Sequence, residues 1–110
     1  MTMETVLAGW TEQEQAIAKQ AFDTAYGRAI AQLTETLRQR VTALEGADDL
    51  WQLHDFLSIQ RHTIEGHFDF RLDGILFVFA SLVKDNLLNL DELAGLEVEK
   101  IAKITAMSRF

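Results

Sequence analysis

Residues 11–46 read TEQEQAIAKQAFDTAYGRAIAQLTETLRQRVTALEG and form the longest uninterrupted helical pattern in the chain. Thr11 and Glu14 have the spacing of a capping box, in which each side chain accepts a hydrogen bond from the backbone N–H of the other. No proline follows, and Gly27 costs a helix interior only about 1 kcal/mol. The segment therefore predicts one helix over about residues 12–45, with a break near Gly27 as the alternative.

The large apolar side chains of this segment lie on one face of the predicted helix. They recur at steps of four or three positions: Phe22, Tyr26, Ile30, Leu33, Leu37, Val41 and Leu44. An eleven-residue repeat keeps such a stripe straight along a helix, here about 50 Å long. A compact domain of 110 residues is only about 35 Å across. Part of the stripe must therefore find another cover, and a second copy of the chain is the simplest one. We predict a dimer interface that includes Leu33 and Leu37.

A second helix follows after a short loop. Gly46 is predicted as the C-cap of the long helix, and Asp48 and Asp49 place negative charge where a helix N-terminus favours it. The second helix should run over about residues 49–65 and stop at Gly66. A helical projection predicts a core face that consists of Leu50, Leu53, Leu57 and Ile64.

The adjacent face of the second helix is a polar strip headed by a tryptophan. The polar strip consists of Trp51, His54, Asp55, Ser58, Arg61, His62 and Glu65. Trp and Arg are the residue types most enriched at interface hot spots, so the strip is predicted to bind a partner protein. The alternative is that Trp51 is half-covered by the long helix and that Arg61 pairs with Glu65.

The C-terminal third predicts a small helical head. Residues 74–83 read GILFVFASLV, which is apolar on all sides. A strand is possible for this composition, but no partner strand is visible, so we predict the central helix of the head. Asn89–Glu92 repeats the N-cap pattern before a last amphipathic helix. In that helix the predicted inward residues are Val98, Ile101, Ile104 and Met107, and the predicted outward residues are Lys100 and Lys103.

These elements predict an all-α protein in three parts. Residues 1–10 are expected to form a flexible tail. Residues 11–66 are expected to form the long helix and the second helix, which build an elongated dimer. Residues 67–110 are expected to form the helical head.

Composition excludes several classes of function. The chain has 17 Asp and Glu residues against 10 Lys and Arg, a net charge of −7, which disfavours nucleic acid as a partner. It has no cysteine, which excludes disulfides, thiolate zinc sites and cysteine nucleophiles. The longest apolar run, Ile75–Ala80, is far shorter than the roughly 18 residues of a membrane span. No signal peptide is recognisable, so we expect a cytosolic protein without membrane insertion.

No catalytic or metal site is predicted. His62 and Glu65 form one reversed His-x-x-Glu pair, whereas a di-iron bundle needs paired Glu-x-x-His motifs. His54 and Asp55 are adjacent on a helix and point about 100° apart, so they are not expected to orient each other. Triad chemistry would also need an oxyanion hole, and no glycine-rich loop is present to build one. We therefore predict a non-enzymatic protein without a metal or cofactor.

One block of sequence points to a known family. Residues 48–71 read DDLWQLHDFLSIQRHTIEGHFDFR, and residues 77–80 read FVFA. Together they closely resemble the fluorescence recovery protein family of cyanobacteria. The position of Trp10 before a Thr-led cap agrees with the family as well. The rest of the long helix and the last twenty residues match in pattern more than in identity.

This resemblance implies an all-helical, dimeric regulator of photoprotection without a cofactor. Family members bind the orange carotenoid protein after blue-green light has switched it to its active red form, and we expect contact with its C-terminal domain. They accelerate its return to the orange form and promote its release from the phycobilisome, which ends non-photochemical quenching. The resemblance thus implies a cytoplasmic location near the thylakoid membrane.

The resemblance also assigns roles to individual residues. The strip residues assigned to partner binding are Trp51, His54, Asp55 and Arg61. A second partner-binding patch in the head maps to Phe77 and, where the alignment is looser, to Lys103. Leu50 matches a dimer-core position, and its neighbour Trp51 is expected at the dimer interface too. Contact with the partner and support of the dimer both remain possible for the strip.

Overall fold

The computed structural model of the chain describes residues 9–110. Its helices, in chain order, are α1 (Glu12–Thr42), α2 (Ala47–His67), α3 (Ile75–Lys84) and α4 (Val98–Met107). A 3-10 turn spans Leu90–Leu93 between α3 and α4. No β-strand occurs within the described residues, which confirms the predicted all-α class.

Helix α1 begins as its sequence predicts and runs without a break. The Thr11 hydroxyl accepts from the Glu14 backbone N–H at 3.1 Å, and the Glu14 carboxylate accepts from the Thr11 N–H at 3.2 Å. The helix passes through Gly27, so the alternative of a break there is wrong. Its 31 residues make it about 46 Å long.

The boundary between α1 and α2 differs from the prediction. Gly46 was expected to cap the C-terminus of α1, but α1 ends at Thr42 with Ala43 as its C-cap. Gly46 is instead the N-cap of α2, in an extended conformation with a φ of −158°. The loop closes through the Asp49 carboxylate, which accepts from the Glu45 N–H at 3.0 Å and draws the chain into the new helix earlier than expected. Helix α2 then continues through Gly66, which was predicted to stop it.

The hydrophobic core is built from only two segments of the described chain, residues 10–29 and 68–107. Helix α1 contributes its small side chains, Ala18, Ala21 and Ala25, which are buried against the C-terminal elements. The largest fully buried side chains are Ile75, Phe79, Leu82, Leu88, Leu93 and Ile104. We call residues 30–67 the arm, and residues 9–29 with 68–110 the head unit.

Trp10 is part of this core and only 3% exposed, although it was placed in the predicted tail. The remainder of that predicted tail, residues 1–8, lies outside the described residues.

The large aromatic residues of α1 meet the chain that leaves α2. The Phe22 ring contacts the rings of Phe68 and Phe70 edge to face, with centroids 5.4 and 5.2 Å apart. Tyr26 contacts Phe68 in the same way at 5.2 Å. In the first part of the predicted apolar stripe, Phe22 is therefore covered by the chain's own residues, whereas Tyr26 is still 43% exposed and continues into the uncovered part in the arm.

Two predicted orientations in α4 are wrong. Val98 was expected to point inward but is 83% exposed, and Lys100 was expected to point outward but is buried. The Lys100 ammonium donates to the Glu14 carboxylate at 2.9 and 3.0 Å and to the Gly9 carbonyl at 2.7 Å, and lies 4.3 Å from the Trp10 ring centroid. These partners compensate the loss of water around the charge. Ile104 is buried as predicted, Ile101 and Met107 are half-buried, and Lys103 is exposed.

The molecule is elongated. Its extents are 60 × 28 × 18 Å and its radius of gyration is 17.4 Å, compared with about 13 Å for a compact domain of this size. The arm, an antiparallel hairpin of the C-terminal part of α1 and α2, accounts for this length.

Candidate functional site

Helix α2 presents the polar strip to solvent. None of its 21 residues is buried, and Trp51 is 62% exposed. The side chains of His54, Asp55 and Arg61 are between 74% and 80% exposed. His54, Asp55 and Arg61 follow Trp51 by three, four and ten positions, so all four lie along one side of the helix. The alternative in which α1 covers half of Trp51 does not hold within one chain.

Two pairs of side chains contact each other within the polar strip. His54 Nδ1 lies 3.3 Å from an Asp55 carboxylate oxygen. The expectation that these neighbours would not orient each other was therefore wrong, because at exposed positions both side chains are free to lean together. Arg61 Nε lies 3.6 Å from the Glu65 carboxylate, as the alternative for Arg61 proposed. Pairs as exposed as these contribute at most about 1 kcal/mol each.

An open groove runs between α1 and α2 beside the strip. Its volume is about 650 Å³. It is lined by Tyr26, Ile30, Leu33, His54, Leu57, Ser58, Arg61, Ile64 and Glu65. The polar strip and the apolar stripe of the arm thus share one surface, which the sequence pattern of neither helix shows alone.

The predicted core face of α2 is not buried within a single chain. Leu50 and Leu57 are 48% and 41% exposed, and Leu53 and Ile64 are half-buried. Of the residues predicted in the dimer interface, Leu33 and Leu37 are also half-buried. Val41 continues this uncovered apolar surface towards the tip of the arm.

A second exposed surface lies on the head unit. Phe77 is 75% exposed although its neighbours in α3 form the core. It lines a groove of about 570 Å³ together with Lys103 from α4. Trp10, Leu72, Leu76 and Met107 also line this groove, which we call the head groove. The fold thus brings together the two residues that the resemblance assigned to the head.

The sequence did not single out Ile59 and Val98 as exposed apolar residues. Ile59 is 62% exposed on the outer side of α2, and Val98 is exposed at the start of α4. A helical projection places Ile59 about 180° from Leu50, which was the available signal. For Val98 no such signal exists, because the orientation of α4 is set by Lys100.

Perturbed carboxylates occur in the head unit rather than on these two surfaces. The Arg28 guanidinium, helped by the Asn89 backbone N–H, lowers the pKa of Glu92 to about 2. Burial raises the pKa of Glu14, but the hydrogen bonds from Lys100 and from the Glu97 and Thr11 N–H groups outweigh it and the net shift is downward. Both carboxylates are engaged in ion pairs that join α1 to the C-terminal elements.

The described residues contain no cluster of His, Asp and Glu side chains placed to hold a metal ion. None of the helices described combines the length and the hydropathy that a bilayer crossing requires.

The chain exposes apolar and charged side chains on two surfaces, which is typical of proteins that bind other proteins. Comparison with known proteins identifies the family within that class. The sequence model of the family described as photoprotection regulator fluorescence recovery protein matches residues 10–108. The chain therefore belongs to this family of photoprotection regulators.

Individual relatives agree over nearly the whole chain. The fluorescence recovery protein of Synechocystis sp. PCC 6803 is 40% identical over 107 residues, which cover 97% of this chain and 98% of the relative. The solved structure of the Fremyella diplosiphon fluorescence recovery protein matches with a TM-score of 0.88 and 41% identity, covering 93% of this chain and all of that one. The solved structure of the Synechocystis protein matches with a TM-score of 0.87 and 40% identity, covering 92% and 99%. These neighbours agree with the fold predicted from the sequence.

Proposed function

We propose that this chain is a non-enzymatic regulator that ends photoprotective quenching. It binds the photoactivated, red form of the orange carotenoid protein, accelerates its conversion back to the orange form, and promotes its release from the phycobilisome. It needs no cofactor for this, and it acts in the cytoplasm near the thylakoid membrane. Family membership supports the class of process, and the exposed surfaces support action through protein contacts.

The observation that carries the proposal is the exposure of α2. None of the 21 residues of this helix is buried, and it presents Trp51 and Arg61, the residue types of interface hot spots, to solvent. Large exposed apolar surface in a small protein marks an interaction site. We assign the partner-binding role to the strip residues Trp51, His54, Asp55 and Arg61, and to Phe77 and Lys103 in the head groove.

The chain acts as a homodimer in this proposal. The apolar surface of the arm includes Leu33, Leu37 and Leu50, and Trp51 stands at its edge. A second copy related by a two-fold axis would cover this surface with the same surface of its own. A single chain with a radius of gyration of 17.4 Å is too extended to cover this surface itself, which supports a second copy as the cover.

The proposed mechanism is stabilisation of a compact intermediate. The regulator binds the C-terminal domain of the red carotenoid protein and holds the two domains of that protein close together. Their effective concentration rises, so the domains reclose faster. A regulator that binds the orange product weakly is released and acts again, since a ligand shifts an equilibrium only by its difference in affinity for the two states.

The test is the dark recovery of photoconverted carotenoid protein. We expect recovery to accelerate when this chain is added at an equimolar ratio, and to slow again when Arg61→Ala replaces the wild type. Arg38→Ala is the matched control, because Arg38 is a similarly exposed arginine on α1 that lies off the strip. Recovery at the same rate with and without the wild-type chain would contradict the proposal.

A second candidate is a dimeric helical adaptor in which the strip is purely structural. It is favoured by the His54–Asp55 and Arg61–Glu65 pairs, which partner the strip's charges within the chain. If Arg61→Ala remains dimeric and fully accelerates recovery, the strip is structural and the adaptor function replaces the assigned role of Arg61.

A further inference from the structure

We infer that the arm, residues 30–67, folds only when a second copy covers it, whereas the head unit folds on its own. The polar strip would then exist only in the dimer, while the head groove would exist in the monomer as well. This inference rests on the homodimer proposed above and adds a regulation of its partner-binding surfaces.

The first argument is the origin of the core. Every residue of the hydrophobic core, and every residue packed against it, lies in residues 10–29 or 68–107. The arm contributes none, although its helical segments hold about half of the α-helical residues. Helices in proteins are stabilised mainly by packing of an apolar face rather than by intrinsic propensity. The arm of a single chain lacks most of that packing.

The second argument is what holds the arm together. At its tip the Arg40 guanidinium lies 3.9 Å from the Phe56 ring centroid, and one carboxylate closes the loop between the helices. The His54–Asp55 and Arg61–Glu65 contacts of the polar strip are exposed and weak. The leucines that face between the helices are only half-buried. These contacts describe a hairpin with little buried apolar area.

The third argument concerns the ion pairs and hydrogen bonds that join the elements of the head unit. These interactions end where the arm begins. A buried ion pair joins Glu14 to Lys100. Further along α1, Arg28 binds both carboxylate oxygens of Glu92 at 2.7 Å and the Leu87 carbonyl at 3.0 Å. Ala25 is the last α1 residue of the core, and Ala29 is the last α1 residue packed against it. Beyond it α1 has no comparable tie to the C-terminal elements.

At the other end of the arm, contacts with the head unit also change within one or two residues. Phe68 contacts Phe22 and Tyr26 in the head unit, whereas Nδ1 of its neighbour His67 lies 3.7 Å from an Asp85 carboxylate oxygen. The head unit thus anchors both ends of the arm. If the helices of the arm unfolded, the core of the head unit would remain intact. Local unfolding of such a segment is the expected behaviour where few buried apolar contacts exist.

The consequence for regulation is a difference between the two partner-binding surfaces. The head groove is built from the head unit, so a monomer retains Phe77 and Lys103 in place. The polar strip lies on α2, so its side chains no longer share one side of a helix when the arm unfolds. Dissociation of the dimer would therefore remove one binding surface and leave the other.

The test is hydrogen exchange of the full-length chain, read by mass spectrometry of peptides, on a monomeric variant and on a matched control. Leu50→Glu places a carboxylate in the apolar surface of the arm and should produce a monomer. Ile59→Glu places the same charge on the opposite side of α2, at a residue of similar exposure, and should remain dimeric. We expect residues 30–67 to lose protection in Leu50→Glu, residues 68–107 to keep it, and the helical circular dichroism signal to fall by up to about half.

Dilution of the wild type provides a second measurement without a mutation. The monomer formed on dilution should lose the same share of the helical circular dichroism signal. Arm peptides as protected in the monomer as in the dimer would overturn the inference and leave the dimer standing. Equal loss of protection in a dimeric Ile59→Glu would also overturn it, because the added charge alone would then be the cause. A wild type that sediments as a monomer at all concentrations would overturn the dimer, and a protected arm in that monomer would overturn the inference as well.

Discussion

Lys100 donates to two oxygens of Glu14 and to the Gly9 carbonyl, and it lies over the Trp10 ring. Because Lys100 is buried, α4 is oriented with Val98 facing solvent. Hydropathy would predict the opposite orientation for both residues. A buried lysine is tolerated only where several partners replace its water. Besides Glu97 at 3.2 Å on the same turn, the partners here lie more than eighty positions earlier in the chain. The four residues together fasten the start of α1 to the head.

We expect Lys100→Ala to lower the free energy of unfolding by about 3 kcal/mol, because it leaves the Glu14 carboxylate buried without its cation. Chemical denaturation of the purified chain measures the change. Lys103→Ala is the control, since Lys103 is an exposed lysine on the same helix and its loss should change the value by less than about 0.5 kcal/mol. Equal stability of the two variants would contradict the assignment of this ion pair.

Gly95 has a φ of +107°, and a Cβ added there would collide with the Ile17 side chain of α1. We expect Gly95→Ala to lower the free energy of unfolding by about 1–3 kcal/mol, because the side chain is strained in this backbone conformation. Thermal melting compares it with Gly27→Ala, which meets nothing within 4 Å and should stabilise α1 by about 1 kcal/mol. Destabilisation by both, or by neither, would show that backbone conformation is not the cause.

Among the elements, α1 has two different roles along its length. Its N-terminal part turns alanines to the head core and aromatic rings to Phe68 and Phe70, while its C-terminal part presents large apolar residues to the groove beside α2. The 3-10 turn Leu90–Leu93 marks the change, because its Glu92 binds Arg28 near the end of the first part. One continuous helix therefore joins a self-contained unit to an exposed arm.

The Arg28–Glu92 pair makes stability depend on pH in a defined direction. Its hydrogen bonds lower the pKa of Glu92 from 4.5 to about 2 in the folded chain. The unfolded chain takes up the proton first as the pH falls, so the contribution is present above about pH 4.5 and is lost between about pH 4.5 and pH 2. We expect the melting temperature to fall across this range, and to fall less in Glu92→Gln. If the melting temperatures of the wild type and of Glu92→Gln fell equally, other carboxylates would be the cause of the decrease.

At the level of the whole molecule, the two exposed surfaces lie in different units. The polar strip lies on the 60 Å-long molecule's arm, and the head groove lies between α3, α4 and Trp10. A partner that engages both would have to span the junction between arm and head. Changes in the head groove should therefore alter partner binding without altering the assembly of the arm.

We expect Phe77→Ala to slow the recovery of the carotenoid protein while the oligomeric state stays as in the wild type and the free energy of unfolding changes by less than about 0.5 kcal/mol. The reason is that Phe77 is 75% exposed and supports no core contact that truncation would remove. Val98→Ala removes a similarly exposed apolar group outside the groove and is the control. Unchanged recovery with Phe77→Ala would remove this residue from the proposed partner surface.

The polar strip and the head groove differ in how far the sequence could predict them. Trp51, His54 and Arg61 lie on one helix, so the helical period by itself places them on one side of it. Phe77 and Lys103 come from different helices, and only the resemblance to a family named them together. Their shared groove depends on how α3 packs against α4, which no local pattern encodes.

Local interactions in the chain fixed the helical class, the capped start of α1, its length, and an apolar stripe too long for a single domain to cover. These follow from spacing within one helix, where hydrogen bonds and side-chain neighbours are at most a few residues apart. Tertiary structure alone decided that Lys100 is buried, that alanines supply the fully buried apolar residues of α1, and that packing against the core ends at Ala29. Those outcomes depend on contacts between residues far apart in the chain, whose energies outweigh the hydropathy of any single position.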